Sequence, residues 1–124
     1  PADGWNAGGF DDAAWASAPA PFGHGLGGMR TEWTSADIWI RRTATLPAEI
    51  PAQLDVLLKH DEDAEVYVNG VLAASLAGYN DEYAPVAMSA AARAGLKPGA
   101  NVIAVHCHQT GGGQGIDVGI AAHQ

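Results

Sequence analysis

The sequence predicts an all-β protein, an antiparallel β-sandwich, and three observations carry that expectation. Val56 and Leu58 alternate with Leu57 and Lys59, and Val66 and Val68 alternate with Glu65, Tyr67 and Asn69. This two-residue period belongs to a strand with one buried face. Asn69-Gly70 stands between two apolar runs, and a two-residue hairpin turn needs positive φ at both central residues, which Asn and Gly accept best. Sixteen Gly and seven Pro are spread between short apolar runs, which suits a turn-rich sheet better than a helical body.

The elements follow in order. Residues 1–28 have no sustained periodicity and are expected to be an irregular N-terminal arm packed on the sandwich. Trp5, Phe10 and Trp15 are its expected anchors, because aromatics supply large buried area; the alternative is an exposed aromatic site. Asp11 to Trp15 can form one helical turn with Asp at its start. Residues 29–46 carry the first clear strand, with Ile38, Ile40 and Arg42 on one face and Trp39, Arg41 and Thr43 on the other. Pro47 and Pro51 bracket a short turn.

The stretch 54–76 organises the rest. It reads as strand, polar turn at Asp61-Glu62-Asp63, strand, tight turn at Asn69-Gly70, strand, with the first strand opening near Gln53. Residues 79–83 form a polar, aromatic loop. Ser89 to Gly95 reads as a short helix with Ser89 as N-cap and Gly95 as C-cap. Residues 97–101 make a turn. Val102 to Gln109 is a near-continuous apolar strand that becomes polar at its end, as expected where both faces are covered. Gly111-Gly112-Gly113 is a loop, and Ile116, Val118 and Ile120 alternate with Asp117 and Gly119 in the last strand. The total is six to eight short strands.

Size and charge bound the function. The 124 residues, 48 % of them hydrophobic, suffice for a single domain with one core. The first residue is Pro1, and the expectation is a domain cut from a larger multidomain protein. Net charge is −8 with six Lys+Arg, which argues against nucleic acid as a partner, since a binder needs a basic face to displace counterions. It argues equally against an anionic membrane surface, and no apolar run reaches the ~20 residues of a membrane span. A neutral ligand such as a sugar, or a cation, suits this balance better. Cys107 is the only cysteine, so neither an intrachain disulfide nor a cysteine-based zinc site is available. In an apolar strand it is expected to be a small buried hydrophobe.

Several segments together resemble a known family: Trp5 with the run Phe10 to Trp15, then TEWTSADIWIRR, DAEVYVNGVLAASL and LKPGANVIAVHCHQTGGGQGIDVGI. They resemble the galactose-binding-like jelly roll, used as the sugar-binding domain of family 2 glycoside hydrolases and by many carbohydrate-binding modules. Glu65 to Gly70 and Pro98-Gly99-Ala100-Asn101 carry the likeness most strongly, and they specify turns and core rather than a ligand. The resemblance implies a jelly-roll sandwich and a non-catalytic accessory module of a secreted bacterial carbohydrate-active enzyme, extracellular or periplasmic. Its partners would be an oligo- or polysaccharide and a catalytic domain of the same chain. Some relatives of that kind only brace a catalytic domain, and several hold a structural calcium ion, the one cofactor the resemblance allows.

The expected carbohydrate-binding residues are Trp33, Tyr79 and Tyr83, which fall in loop-like segments, with His106, His108 and Asp117 as polar contacts. His106 and His108 share a face, the spacing of adjacent imidazole ligands on a metal. The pair superficially resembles the H-x-H of cupins, but Gln109, Thr110 and glycines stand where a cupin has Glu. Hydrogen-bonded histidines at a strand end are the simpler reading. Asp61-Glu62-Asp63 supplies too few oxygens for calcium by itself and reads as a solvated turn; Asp11 and Asp12 with Asp117 are a second oxygen set. His24 lies in a glycine-rich loop that allows close ligand approach. No paired carboxylates, nucleophile elbow or phosphate loop marks the chain as catalytic.

Overall fold

The structure, a computed structural model, describes residues 3–25, 28–51, 54–80, 83–109 and 113–122. Gln53, Asp81, Glu82, Gly111 and Gly112, on which parts of the reading above rest, lie outside the described residues. Nine strands and one short helix are formed among those described: β1 Phe22–His24, β2 Thr31–Glu32, β3 Asp37–Leu46, β4 Leu54–Asp61, β5 Asp63–Val68, β6 Val71–Leu76, β7 Ala84–Ala87, α1 Ala90–Ala94, β8 Gly99–His108 and β9 Gln114–Ala122. They make two sheets, β2-β1-β9-β4-β7 and β3-β8-β5-β6. Every pairing is antiparallel except the short one between β1 and β2. The fold is an all-β sandwich.

The two-residue period decides which side chains fill it. Leu54, Val56 and Leu58 of β4 and Ile116 and Val118 of β9 face Ala64, Val66 and Val68 of β5 and Ile103, Val105 and Cys107 of β8. Each buried Val, Leu or Ile side chain contributes roughly 1.5–3 kcal/mol. Cys107 is fully enclosed, and burial pushes its thiol up to about 12, so it is an inert core residue.

The turns show which sequence signals were structural. Asn69 and Gly70 have φ of 50° and 85°, the left-handed pair a primed hairpin turn requires. The Asn69 side chain also holds the neighbouring strand: its Oδ1 accepts from Val102 N at 2.9 Å and its Nδ2 donates to Asn101 Oδ1 at 2.9 Å. Helix α1 is capped as expected by Ser89, whose Oγ accepts from Ala92 N at 3.2 Å. Gly95 closes it with φ −87°, so its left-handed freedom is not used. Asp11 to Trp15 forms no helix: Asp11 Oδ1 accepts from Ala13 N at 3.0 Å and Trp15 N donates to Asp12 O at 2.9 Å, so the Asp side chain stabilises a turn instead.

Asp61-Glu62-Asp63 differs from the expected solvated turn in being half-buried. Strands β4 and β5 belong to different sheets, so the acidic tripeptide is a crossover from one layer to the other. It is tied down from both sides. Asp63 Oδ1 accepts from Gly78 N at 2.7 Å. Buried His60 places Nδ1 2.7 Å from Glu62 O and 3.0 Å from Gly78 O; two carbonyls leave that nitrogen only the donor role.

The N-terminal arm is not wholly irregular, since β1 inserts it into the five-stranded sheet. The stretch before β1 is fastened by Arg41, which projects from the outer face of β3. Its Nε donates to Asp12 Oδ2 at 2.8 Å, Nη1 to Trp5 O at 2.6 Å and Ala7 O at 2.8 Å, and Nη2 to Phe10 O at 3.3 Å. The guanidinium also lies 5.2 Å from the Phe10 ring centroid. Trp5 meets Tyr67 edge-on, and Phe10 meets Trp15 in the same way. Ala104, flanked by Arg41 and Tyr67 across the sheet, is consequently fully buried on an outward-facing position.

Candidate functional site on the outer face of the four-stranded sheet

Beyond Ala104 the outward positions of β8 are His106 and His108, and here the sheet face turns polar. The register sets Trp39 and Glu65 on either side of His106, and Asp37 and Asp63 on either side of His108. Trp39 and His106 stack with centroids 4.9 Å apart and planes 5° from parallel. His106 Nε2 lies 2.7 Å from Asp37 Oδ1 and Nδ1 lies 3.3 Å from Glu65 Oε1. Both ring nitrogens therefore face carboxylates, and the doubly protonated ring can donate to both. His108 Nδ1 is 2.8 Å from the same Asp37 Oδ1, and Tyr67 donates to Glu65 Oε2 at 3.2 Å. A shallow groove of about 300 Å³ runs beside the histidines, lined by Asp63, Glu65 and Ser75 among others.

Hydrogen bonds from His106 and then His108 hold the Asp37 carboxyl below its ordinary 3.8. The sign follows from linkage: a depressed folded value stabilises the protein above the unfolded value and is lost as pH falls through the folded one. The stability difference between wild type and Asp37→Asn is expected to shrink as pH falls below about 4. Urea titrations of both proteins at several pH values check it.

The expected ligand residues are not gathered in one place. His106 and His108 are together, each bonded to Asp37. Trp33 is 4 % exposed and belongs to the core; its Nε1 donates to Ser35 Oγ at 3.1 Å. It offers no ring face to a sugar, because a flexible-looking sequence context did not keep it on the surface. Asp117 does not face the histidines. It projects from the outer side of the opposite sheet, where it accepts from the Tyr83 hydroxyl. Burial and that carboxylate push Tyr83 up to about 12. Tyr79 bridges to Asp61 through its backbone and is 65 % exposed.

The other oxygen sets are similarly committed. Asp12 is taken by Arg41 and Asp11 by its own turn, while His24 pairs with Glu32 at 3.0 Å. Among the described residues no group of three or more His, Cys, Asp or Glu is arranged to hold a metal ion. The residues missed by sequence reasoning are Asp37, Trp39 and Glu65. Period-two alternation assigns each to a face, but only the strand register brings them beside His106.

Comparison with protein-family models, with curated proteins and with solved structures finds no match to this chain. No helix among the described residues is long and apolar enough to cross a membrane.

Proposed function

We propose that this domain is a non-catalytic carbohydrate-binding module, of the galactose-binding-like jelly-roll kind, serving a secreted bacterial carbohydrate-active enzyme. The observation that carries the reading is the partly exposed Trp39–His106 stack, bordered by Asp37, Glu65 and His108. Sugar hydroxyls need both donors and acceptors, which imidazole and carboxylate edges supply, and sugar C–H faces pack on indole. Trp39 is 37 % exposed on a strand, so its ring is held by the sheet rather than by a mobile loop. The groove is shallow, so affinity is modest, with Kd about 0.1–1 mM.

Titration against a panel of neutral polysaccharides and their oligosaccharides tests it. Trp39→Ala is expected to weaken binding about tenfold or more while leaving the circular dichroism spectrum unchanged. Uniform silence of the wild type across the panel overturns the reading.

A second reading, a bracing domain that packs on a catalytic neighbour, is favoured by a different feature. The sandwich is open along one side, where a cleft of about 1180 Å³ reaches Ile38, Ile40, Val105 and Val118 between the sheets.

A further inference from the structure

We propose that the free edge of β3 accepts an extended segment of a partner protein as an added strand, with the partner's apolar side chains entering that open side. The inference rests on the bracing reading and is argued apart from the saccharide site, with which it shares Asp37 and Trp39 of β3.

Exposed sheet edges are templates for pairing, and proteins usually blunt them. Here three of the four edges are blunted. Strand β2 has two residues, and β7 has four and contains Pro85. The edge of β6 is met by Ser89, whose N donates to Ala73 O at 3.0 Å and whose Oγ donates to Leu72 O at 2.7 Å. Strand β3 is different. It has ten residues, pairs only with β8, and takes no backbone hydrogen bond on its other side among the described residues. The arm segment 16–20 borders the same cleft without pairing to β3. Pro19 and Pro21 have no N–H to offer, and Pro21 O is taken by Arg30 N and Thr31 N.

The chemistry of the cleft selects the occupant. Inward positions of β3 are Ile38, Ile40 and Arg42, so an added strand needs apolar residues opposite the first two. Arg42 Nη1 reaches across the opening to Val118 O at 2.9 Å, satisfying the stretch of β9 beyond its pairing with β1. The acids lining the cleft have partners: Asp12 has Arg41, Glu32 has His24 and Asp117 has Tyr83. Arg30 and Arg42 line it without a carboxylate partner among the described residues, in a chain of net charge −8. A carboxylate on the incoming strand complements them. A second copy of this chain does not. Two β3 strands paired antiparallel about Arg42 would set that residue of one copy against the same residue of the other, and like charges directly opposite are destabilising.

The test uses a fluorescein-labelled peptide, acetyl-Ser-Thr-Glu-Thr-Val-Thr-Val-Thr, written to run antiparallel to β3 with Glu opposite Arg42. Saturable fluorescence polarisation is expected. Glu→Lys in the peptide should weaken binding at least tenfold, and Arg42→Glu in the protein should reverse that preference. Peptides N-methylated at alternate residues, in each of the two phases, keep the side chains; one phase should abolish binding because strand pairing needs those N–H groups. Absence of saturable binding to the wild type, or equal binding of both N-methylated peptides, overturns the proposal. So does sedimentation showing that the protein dimerises and that the peptide does not compete. Glycan titration of the same preparation reads the saccharide site separately, so failure of one leaves the other standing.

Discussion

Asn101→Leu is expected to destabilise the domain by about 3–4 kcal/mol, lowering Tm by roughly 10 °C or more. The side chain is fully buried at the start of β8 and uses all its hydrogen-bonding capacity. Its Nδ2 donates to Lys97 O at 2.7 Å and Gly99 O at 3.1 Å, and its Oδ1 accepts from Lys97 N at 3.1 Å and Asn69 Nδ2 at 2.9 Å. Leucine is similar in size but strands four polar groups, each costing about 1–3 kcal/mol when water cannot reach it. Lys97 is exposed, so water recovers much of that cost, which holds the expected loss near the low end. Asn101→Asp separates charge from packing. The carboxylate keeps both accepted bonds but meets two carbonyl oxygens it can only repel. Its pKa is therefore expected above the unfolded value, so the penalty is present at pH 7 and falls as pH drops below the folded value. Thermal melts of both variants at pH 7 and pH 4 check the magnitude and the sign.

That network explains why so much of the fold was legible in the sequence. Asn69-Gly70 and Pro98-Gly99-Ala100-Asn101 looked like two separate turns. They are two ends of one hydrogen-bonded cluster, joined where β5 and β8 pair. Local turn chemistry and alternation therefore specified the longer strands β3, β4, β5, β6, β8 and β9, because each needs only its own few residues, whereas the short β1, β2 and β7 carry no such local pattern. The crossover at Asp61 to Asp63 was not legible. A polar turn reads the same whether the next strand joins its neighbour or the facing sheet, and only long-range pairing decides. The site failed for the same reason. Loop position suggested exposure for Trp33, while alternation put Trp39 on a face with Arg41 and Thr43 without naming it as a site. Packing reversed the first, since Trp33 fills the core, and left Trp39 standing outward on an edge strand. Arg41 was assigned the right face of its strand, yet nothing local announced that the arm would close over it.

Arg41→Met is expected to release that arm. The side chain is 4 % exposed and makes one ion pair and three bonds to backbone carbonyls spread over residues 5–10. Methionine retains the apolar stem but leaves those carbonyls and Asp12 without a donor. Removing one member of a buried charge network costs about 3–5 kcal/mol when the remaining groups cannot escape. Here they can, because the arm is peripheral and its carbonyls regain water once it lifts. The loss is therefore limited to the docking free energy of the arm, about 1–2 kcal/mol, and it appears locally before it appears globally. Proteolysis between residues 5 and 20 should accelerate about tenfold or more, with Trp5 emission shifting to the red as its contact with Tyr67 opens. Arg41→Lys should behave almost as badly, because one ammonium cannot reproduce a planar fork that reaches four acceptors at once. Full protection of the arm in Arg41→Lys would show that charge alone, through Asp12, holds it in place. Rapid cleavage in both variants would show that the guanidinium geometry does.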